Sequence, residues 1–294
     1  VGLTLTGSVV SWGDGTNGQV GSPSGSFTAV GAGTFHSLAV RSDGGVVAWG
    51  YNGNLQCTSP SASFWDVAAG WFHTLAIRSD GTLVAWGFNA YGQCTVPTGS
   101  FDQISAGGYH CLALTAAGAV RGWGLGATNA GSGDYGQIIV PTTGVHRQIA
   151  AGGYHSLSLR SDGAVVCWGA GRSGLSGAPH YLQSVGPTTG SYTLISAGLY
   201  HSLAIRSDGL VVGWGAGRTG TSGDPHYGQA TPPAGTFKDL GAGFYFSVGL
   251  KTDGSLAAWG STSGGLSTVP TGGFTQVAAG GYHALALRSD GTVA

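Results

Sequence analysis

An aromatic residue followed at once by histidine, or by its single replacement, recurs seven times along the 294 residues, at Phe35-His36, Phe72-His73, Tyr109-His110, Tyr154-His155, Tyr200-His201, Tyr245-Phe246 and Tyr282-His283. Each pair follows a glycine at a fixed distance: Gly33, Gly70, Gly107, Gly152, Gly198, Gly243 and Gly280. A second mark, Trp-Gly, recurs at Trp12, Trp49, Trp86, Trp123, Trp168, Trp214 and Trp259, with spacings of 37, 37, 37, 45, 46 and 45 residues. Self-similarity at this period confines the chain to arrays, solenoids or propellers, because no single unit can cover its own apolar face.

Within a unit the segments are short, rich in Val, Leu and Trp, and broken by Gly and Pro about every ten residues, which is the pattern of strands. The unit from Phe64 to Pro97 predicts an inner strand Trp65 to Ala69, a second strand His73 to Arg78, the hairpin turn Ser79-Asp80-Gly81, and a third strand Leu83 to Trp86. A loop from Gly87 through Gln93 then leads to an outer strand ending near Pro97, since proline is tolerated at a sheet edge. Four antiparallel strands per unit make a blade, and seven blades make an all-β, seven-bladed propeller occupying residues 1–294 as one domain. Val1 to Val10 align with Leu285 to Ala294. The expectation is that Val9-Gly13, which carries the Trp-Gly, closes the ring by completing the blade begun at Phe274.

Composition narrows the function. Charged residues make up 8% of the chain, glutamate and methionine are absent, lysine occurs only at Lys238 and Lys251, and the net charge is -1. That balance gives no footprint for nucleic acid or anionic lipid. No apolar run approaches the roughly 18 residues that span a bilayer, so no membrane insertion is expected, and the chain reads as a mature or excised domain. The 58 glycines hold fixed places beside tryptophans and in turns, which argues for folding. Cys57 and Cys94 hold the same place in adjacent repeats, while Cys111 and Cys167 stand where other repeats have Ser, Thr, Ala or Gly, so four free thiols are expected.

The strings Ala-x-Gly-x-aromatic-His-Ser-Leu-Ala-Val/Ile-Arg-Ser-Asp-Gly and Trp-Gly-x-Asn-x-x-Gly-Gln resemble the repeats of the regulator of chromosome condensation family over almost the whole chain. Within that family, Gly-Gln-x-Thr-Val-Pro around Gly92 to Pro97 is similar in wording to the secreted bacterial β-lactamase inhibitors of propeller type. The resemblance implies a propeller, a secreted or cell-surface setting, and contact with a protein through the aromatic turns. On that analogy the matching positions are Trp71, Phe72, Tyr109, Tyr154, Tyr200, Phe244, Tyr245 and Tyr282.

If strand direction alternates, the aromatic-His turns and the Trp-Gly loops emerge on one face. There the residue before each aromatic is Thr34, Trp71, Gly108, Gly153, Leu199, Phe244 or Gly281, so an otherwise strict repeat varies at an exposed place. The plainer reading is that the recurring aromatics pack between blades. Three consecutive repeats also carry insertions, Leu125 to Gly136, Ala170 to Leu182 and Ala216 to Gly228. Two are near copies that supply Arg172, His180 and Tyr181, then Arg218, His226 and Tyr227, groups suited to a glycan or a peptide; the plainer reading is a loop multiplied by duplication.

The histidines His36, His73, His110, His155, His201 and His283 recur with the blade, so each is expected to bond to backbone inside its own blade rather than to hold a metal, and no cofactor is implied. The Asp-Gly turns at Asp43, Asp80, Asp162, Asp208, Asp253 and Asp290 read as turn chemistry. No nucleophile motif, phosphate loop or paired carboxylates appear. Three functions follow in order: a binding module for a protein or glycan; a lyase-like polysaccharide enzyme using the His, Tyr and Arg of the insertions; and a unit of an extracellular assembly, self-associating through the duplicated terminal strand.

Overall fold

The computed structural model describes residues 7–128, 133–174, 177–221 and 223–289. It contains seven antiparallel sheets of three strands each and a single short 3-10 turn at Ser263–Gly265. The first sheet comprises Phe27–Ala32, His36–Arg41 and Val46–Gly50; the second, Phe64–Ala69, His73–Arg78 and Leu83–Gly87; the third, Gln103–Ala106, His110–Leu114 and Val120–Gly124. The fourth comprises His146–Ala151, His155–Arg160 and Val165–Gly169; the fifth, Tyr192–Ala197, His201–Arg206 and Val211–Gly215; the sixth, Phe237–Ala242, Phe246–Lys251 and Leu256–Gly260. The seventh joins both ends of the sequence: Val9–Gly13 pairs with His283–Arg288, with Trp12 opposite Ala284, and His283–Arg288 pairs with Phe274–Ala279.

Burial explains which residues form each strand. The middle strand is covered by a neighbouring sheet on both faces, so His73 to Ile77 are all buried, and its sequence is a continuous apolar and small-residue run. Six inner strands begin with a large buried side chain, Phe27, Phe64, His146, Tyr192, Phe237 or Phe274, each followed by a bulge, and in the third sheet Phe101 stands two residues before the strand. Apolar clusters lie between sheets rather than within them. Leu75 and Ile77 of the second sheet pack with Phe101, Ile104 and Ala113 of the third, and Leu203 and Ile205 of the fifth with Phe237 and Leu240 of the sixth. The hairpins close as expected, with Asp43 Oδ1 accepting the Gly45 N–H and Asp80 Oδ1 the Thr82 N–H, both at 2.9 Å. Gly81 sits at φ +83°, where a side chain would be strained. Asp290 and Val1 to Thr6, the expected displaced end, lie outside the described residues.

The fourth, outer strand is corrected. The stretch after Gln93 forms turns rather than a strand, and no sheet has a fourth member among the described residues. Its attachment is made by side chains. The Gln56 carbonyl accepts from Thr74 Oγ1 at 2.8 Å and from Trp86 Nε1 at 2.9 Å, and the Gln137 carbonyl accepts from Ser156 Oγ at 2.8 Å and Trp168 Nε1 at 2.7 Å. A carbonyl already filled by two side-chain donors is not free for a strand ladder. All four cysteines are free thiols.

Candidate functional site

Glycine sets the aromatic turns. A Cβ on Gly70 would stand 2.2 Å from His73 Cε1 and 2.7 Å from the Gly107 carbonyl oxygen, so only glycine lets neighbouring turns meet this closely. The turns then bond to one another, sheet to sheet. The Gly153 N–H donates to Gly198 O at 3.0 Å, Leu199 N–H to Gly243 O at 3.1 Å, Phe244 N–H to Gly281 O at 3.2 Å, and Gly281 N–H to Gly33 O at 3.0 Å.

The histidines beneath the turns are corrected in their partners. Each reaches out of its own sheet to a hydroxyl or thiol of the next: His36 Nε2 to Thr74 Oγ1 at 3.0 Å, His73 to Cys111 Sγ at 3.1 Å, His110 to Ser156 Oγ at 3.0 Å, His155 to Ser202 Oγ at 2.8 Å, His201 to Ser247 Oγ at 2.8 Å, and His283 to Ser37 Oγ at 2.7 Å. Because each serine hydroxyl gives its one proton to a glutamine carbonyl, it must accept from Nε2–H, which places the proton of the neutral imidazole on Nε2. Burial holds the pKa of His36, His110, His155 and His201 down to about 3 and that of His73 and His283 to about 4. The break in the series is compensated: Phe246 faces the sheet in which Ala284 replaces the serine, so a ring without a donor meets a methyl group. Among the described residues no three His, Cys or Asp groups converge as metal ligands.

Above the histidines the aromatics form one continuous layer, half-buried, touching ring to ring across the face. Ring centroids lie 6.4 Å apart for Tyr282 and Phe35, 5.7 Å for Phe35 and Phe72, 6.1 Å for Tyr154 and Tyr200, and 6.3 Å both for Tyr200 and Tyr245 and for Tyr245 and Tyr282. The two expected departures converge at its centre. Trp71 and Phe244, from the second and sixth sheets, meet at 5.9 Å, and Trp71 also contacts Tyr109 at 4.9 Å and Tyr154 at 5.3 Å. With Thr34 and Leu199 they line the axial space at this end. Edge-to-face pairs of this kind fix ring orientations while leaving faces and edges exposed.

The inserted loops add an outer tier beside this layer. Tyr135 stands edge-on to His180 at 5.3 Å, Tyr181 to His226 at 5.6 Å and to Tyr200 at 5.0 Å, and Tyr227 to Tyr245 at 5.6 Å. His180 Nδ1 accepts the Gly171 N–H at 3.0 Å and His226 Nδ1 the Gly217 N–H at 2.9 Å, which points each Nε2–H outward. Burial lowers the His180 pKa, and the nearby Arg172 lowers it further. Neither inserted arginine forms an ion pair among the described residues; Arg172 reaches Tyr135 O at 3.4 Å and Arg218 reaches Gly215 O at 3.5 Å. Burial raises the Tyr245 pKa to about 12 and lifts those of Tyr154 and Tyr200, so these phenols stay neutral hydrogen-bonding groups.

The sequence reading missed part of this layer. Tyr51 and Phe88, the residues after two of the Trp-Gly pairs, touch Phe72 at 6.2 and 6.5 Å, and Tyr91 touches Tyr109 at 5.2 Å. The signal was there: the position after Trp-Gly and the position two before Gln carry aromatics on this face.

The regulator of chromosome condensation (RCC1) repeat model matches residues 27–56, 66–93, 101–137, 147–174, 192–229 and 274–293. The repeat it passes over is the one that carries Phe246. No curated protein matches the chain in sequence. Among solved structures, the chain is similar to human WBSCR16 (TM-score 0.78, 17% identity, 97% of this chain and 99% of that one) and to Prp20p from Saccharomyces cerevisiae (TM-score 0.75, 19% identity, 98% and 94%). It is also similar to the CRINKLY WD40 ectodomain of the Arabidopsis thaliana receptor kinase ACR4 (TM-score 0.65, 22% identity, 88% and 92%). With the repeat matched over more than half of its length and the propeller shape shared with these proteins, the chain belongs to the RCC1 repeat family.

Proposed function

We propose that the protein is a protein-binding propeller whose partner docks on the aromatic face, with Trp71 and Phe244 at the centre of the contact and Tyr181 and Tyr227 toward its edge. The observation that carries the reading is the unbroken layer of half-buried rings, which the fold does not need for its core and which is nearly free of charge. Interface centres are enriched in Tyr, Trp and Phe and depleted of charge, and such rings give contact area at little loss of side-chain freedom. Among the similar structures, Prp20p binds Gsp1p and histones, and yeast RCC1 (Prp20) is bound by Kap60. We also infer that Val9–Gly13 closes the ring, supported by its pairing with His283–Arg288 and by the His283–Ser37 bond from the seventh sheet to the first.

The test is a quantitative one. Proteins captured from the native source on the immobilised chain are identified, and the affinity of the purified partner is compared for the parent and for Trp71→Ala with Phe244→Ala. Truncating central aromatics typically costs about 2 kcal/mol or more each, so affinity is expected to fall at least tenfold per residue. An affinity unchanged by both substitutions, or saturable binding to glycans alone on an array, sinks the proposal.

A further inference from the structure

Beneath the aromatic layer the seven inner strands surround a cavity of ≈ 290 Å³ on the axis of the molecule, close to the lower end of the roughly 300–1,000 Å³ of small-molecule sites. The residue two places after the large side chain of each inner strand is Ala29, Asp66, Gln103, Gln148, Leu194, Asp239 or Gln276, and of these Asp66, Gln103, Gln148 and Gln276 line the cavity. Four of the seven tie their strand to the next. Gln103 Oε1 accepts the Ile149 N–H at 2.7 Å, Gln148 Oε1 the Ile195 N–H at 2.8 Å, Asp239 Oδ2 the Val277 N–H at 2.9 Å, and Gln276 Oε1 the Val30 N–H at 3.1 Å.

Asp66 makes no such tie. Its Oδ1 accepts only the N–H of Val67, the next residue in its own strand, at 2.9 Å, and Oδ2 has no partner among the described residues. Length is not the reason, because Asp239, with the same side chain, reaches across. Asp66 is only partly buried and its second oxygen is open to the cavity, where a cation would gain by pairing with it. Asp66 lines the cavity, and so do Gln103 and Gln276, whose amide nitrogens make no hydrogen bond among the described residues. Among the described residues no lysine, arginine or histidine lines it.

We propose that this cavity is a binding site for a small organic ammonium compound carrying oxygen acceptors, its ammonium held by Asp66 and its oxygens by the side-chain amides of Gln103 and Gln276. Toward the aromatic face the axial space continues between Trp71, Phe244, Leu199 and Thr34, whereas the ligand's contacts lie deeper, at Asp66, Gln103 and Gln276.

The residues beside the carboxyl on the flanking strands, Val30, Ile77, Gln103 and Ile104, carry no charge, and Asp239 has both oxygens bonded to backbone N–H groups. Burial therefore dominates and lifts the Asp66 pKa to about 7, opposed only by the Val67 bond. An ammonium ligand pairs with the carboxylate and displaces its proton, so affinity rises with pH until Asp66 is fully ionised.

The probe is serinol, 2-amino-1,3-propanediol, with glycerol as its uncharged match, followed by amide NMR of the whole chain. Serinol is expected to give saturable shifts centred on Val67 and Ile104, and glycerol none. Affinity should be about tenfold higher at about pH 8 than at about pH 6, as the ionised fraction of a group with pKa near 7 requires. Asp66→Asn, a neutral isostere whose unchanged spectrum elsewhere reports an intact fold, should bind at least tenfold more weakly and without the pH dependence. Equal responses to serinol and glycerol, no saturation by serinol, or an Asp66→Asn protein that titrates like the parent would each overturn the site.

Discussion

Ser247 shows how much one hydroxyl carries in this fold. It donates to the Gln229 carbonyl at 2.8 Å and accepts from His201 Nε2 at 2.8 Å, so it ties the outer turn to its sheet and that sheet to the fifth. Ser247→Ala strands a buried N–H on His201 and should destabilise the protein by about 1–3 kcal/mol. The Phe246 and Ala284 pair shows that the same junction can be built without the bond, and Gly243 lies against Phe246 as Gly198 lies against His201. His201→Phe combined with Ser247→Ala is therefore expected to lose less stability than the two single changes added together, by about 1 kcal/mol in a double-mutant cycle. Strict additivity in denaturant unfolding would mean that the hydroxyl does not serve the histidine. The repeat made the histidines legible as structural groups. Their partners were not legible, because the matching serine lies one repeat further on, next to its own sheet's histidine, and only radial packing brings the two together.

At the scale of elements, the inserted loops do more than decorate the face. Each returns a carbonyl to the glutamine behind it: Gln137 Nε2 donates to Gly133 O and Gln229 Nε2 to Pro225 O, both at 2.7 Å, and Gln183 Nε2 to Pro179 O at 2.5 Å. In the short-loop repeats the same amides of Gln19, Gln56 and Gln93 are buried without a partner. Shortening Ala170 to Leu182 or Ala216 to Gly228 to the length of Gly87 to Gln93 should thus keep the fold while lowering stability by about 1–3 kcal/mol per loop, the effect of one unsatisfied buried donor. Thermal melts followed by circular dichroism decide it; loss of the cooperative transition would show that the loops are needed to fold. The three described strands of each unit were legible to within a residue, since apolar runs and Asp-Gly turns bound them. The outer strand was misread because Thr95-Val96-Pro97 has the composition of an edge strand, whereas its hold on the sheet comes through the carbonyl of Gln93, which Trp123 Nε1 and Cys111 Sγ both address. Trp71 and Phe244 stood out as departures from a consensus. Asp66 did not, because its place in the repeat is filled by Ala, Asp, Gln or Leu, a mixture that reads as surface variation until all seven inner strands are seen to face one axis.

For the whole molecule, the buried histidines couple stability to pH. Six imidazoles are kept neutral in the fold, with pKa values lowered by burial to about 3 or 4, whereas in the unfolded chain they protonate near the ordinary value of 6.5. Their contribution is fully present above pH 6.5 and is lost as the pH falls through the folded values of about 4 and about 3. Two partly buried carboxyls act in the opposite sense: Asp66, raised to about 7, and Asp239, raised to about 6, are protonated in the fold before they are in the unfolded chain, and favour folding as the pH falls. Six groups against two leave a net uptake of about four protons on unfolding between roughly pH 4 and pH 6, and at about 1.4 kcal/mol per proton per pH unit this removes about 5 kcal/mol of stability per unit. A domain with a total stability of about 5–15 kcal/mol should then unfold cooperatively at a midpoint between about pH 3 and pH 5. Replacing His201 by Phe together with Ser247 by Ala removes one of the six imidazoles, so the pH slope of stability should fall by about a quarter. Tryptophan fluorescence across an acid titration of parent and variant measures both quantities; a parent that stays folded at about pH 2, or a variant with an unchanged slope, would show that the histidines are not the groups that set acid stability.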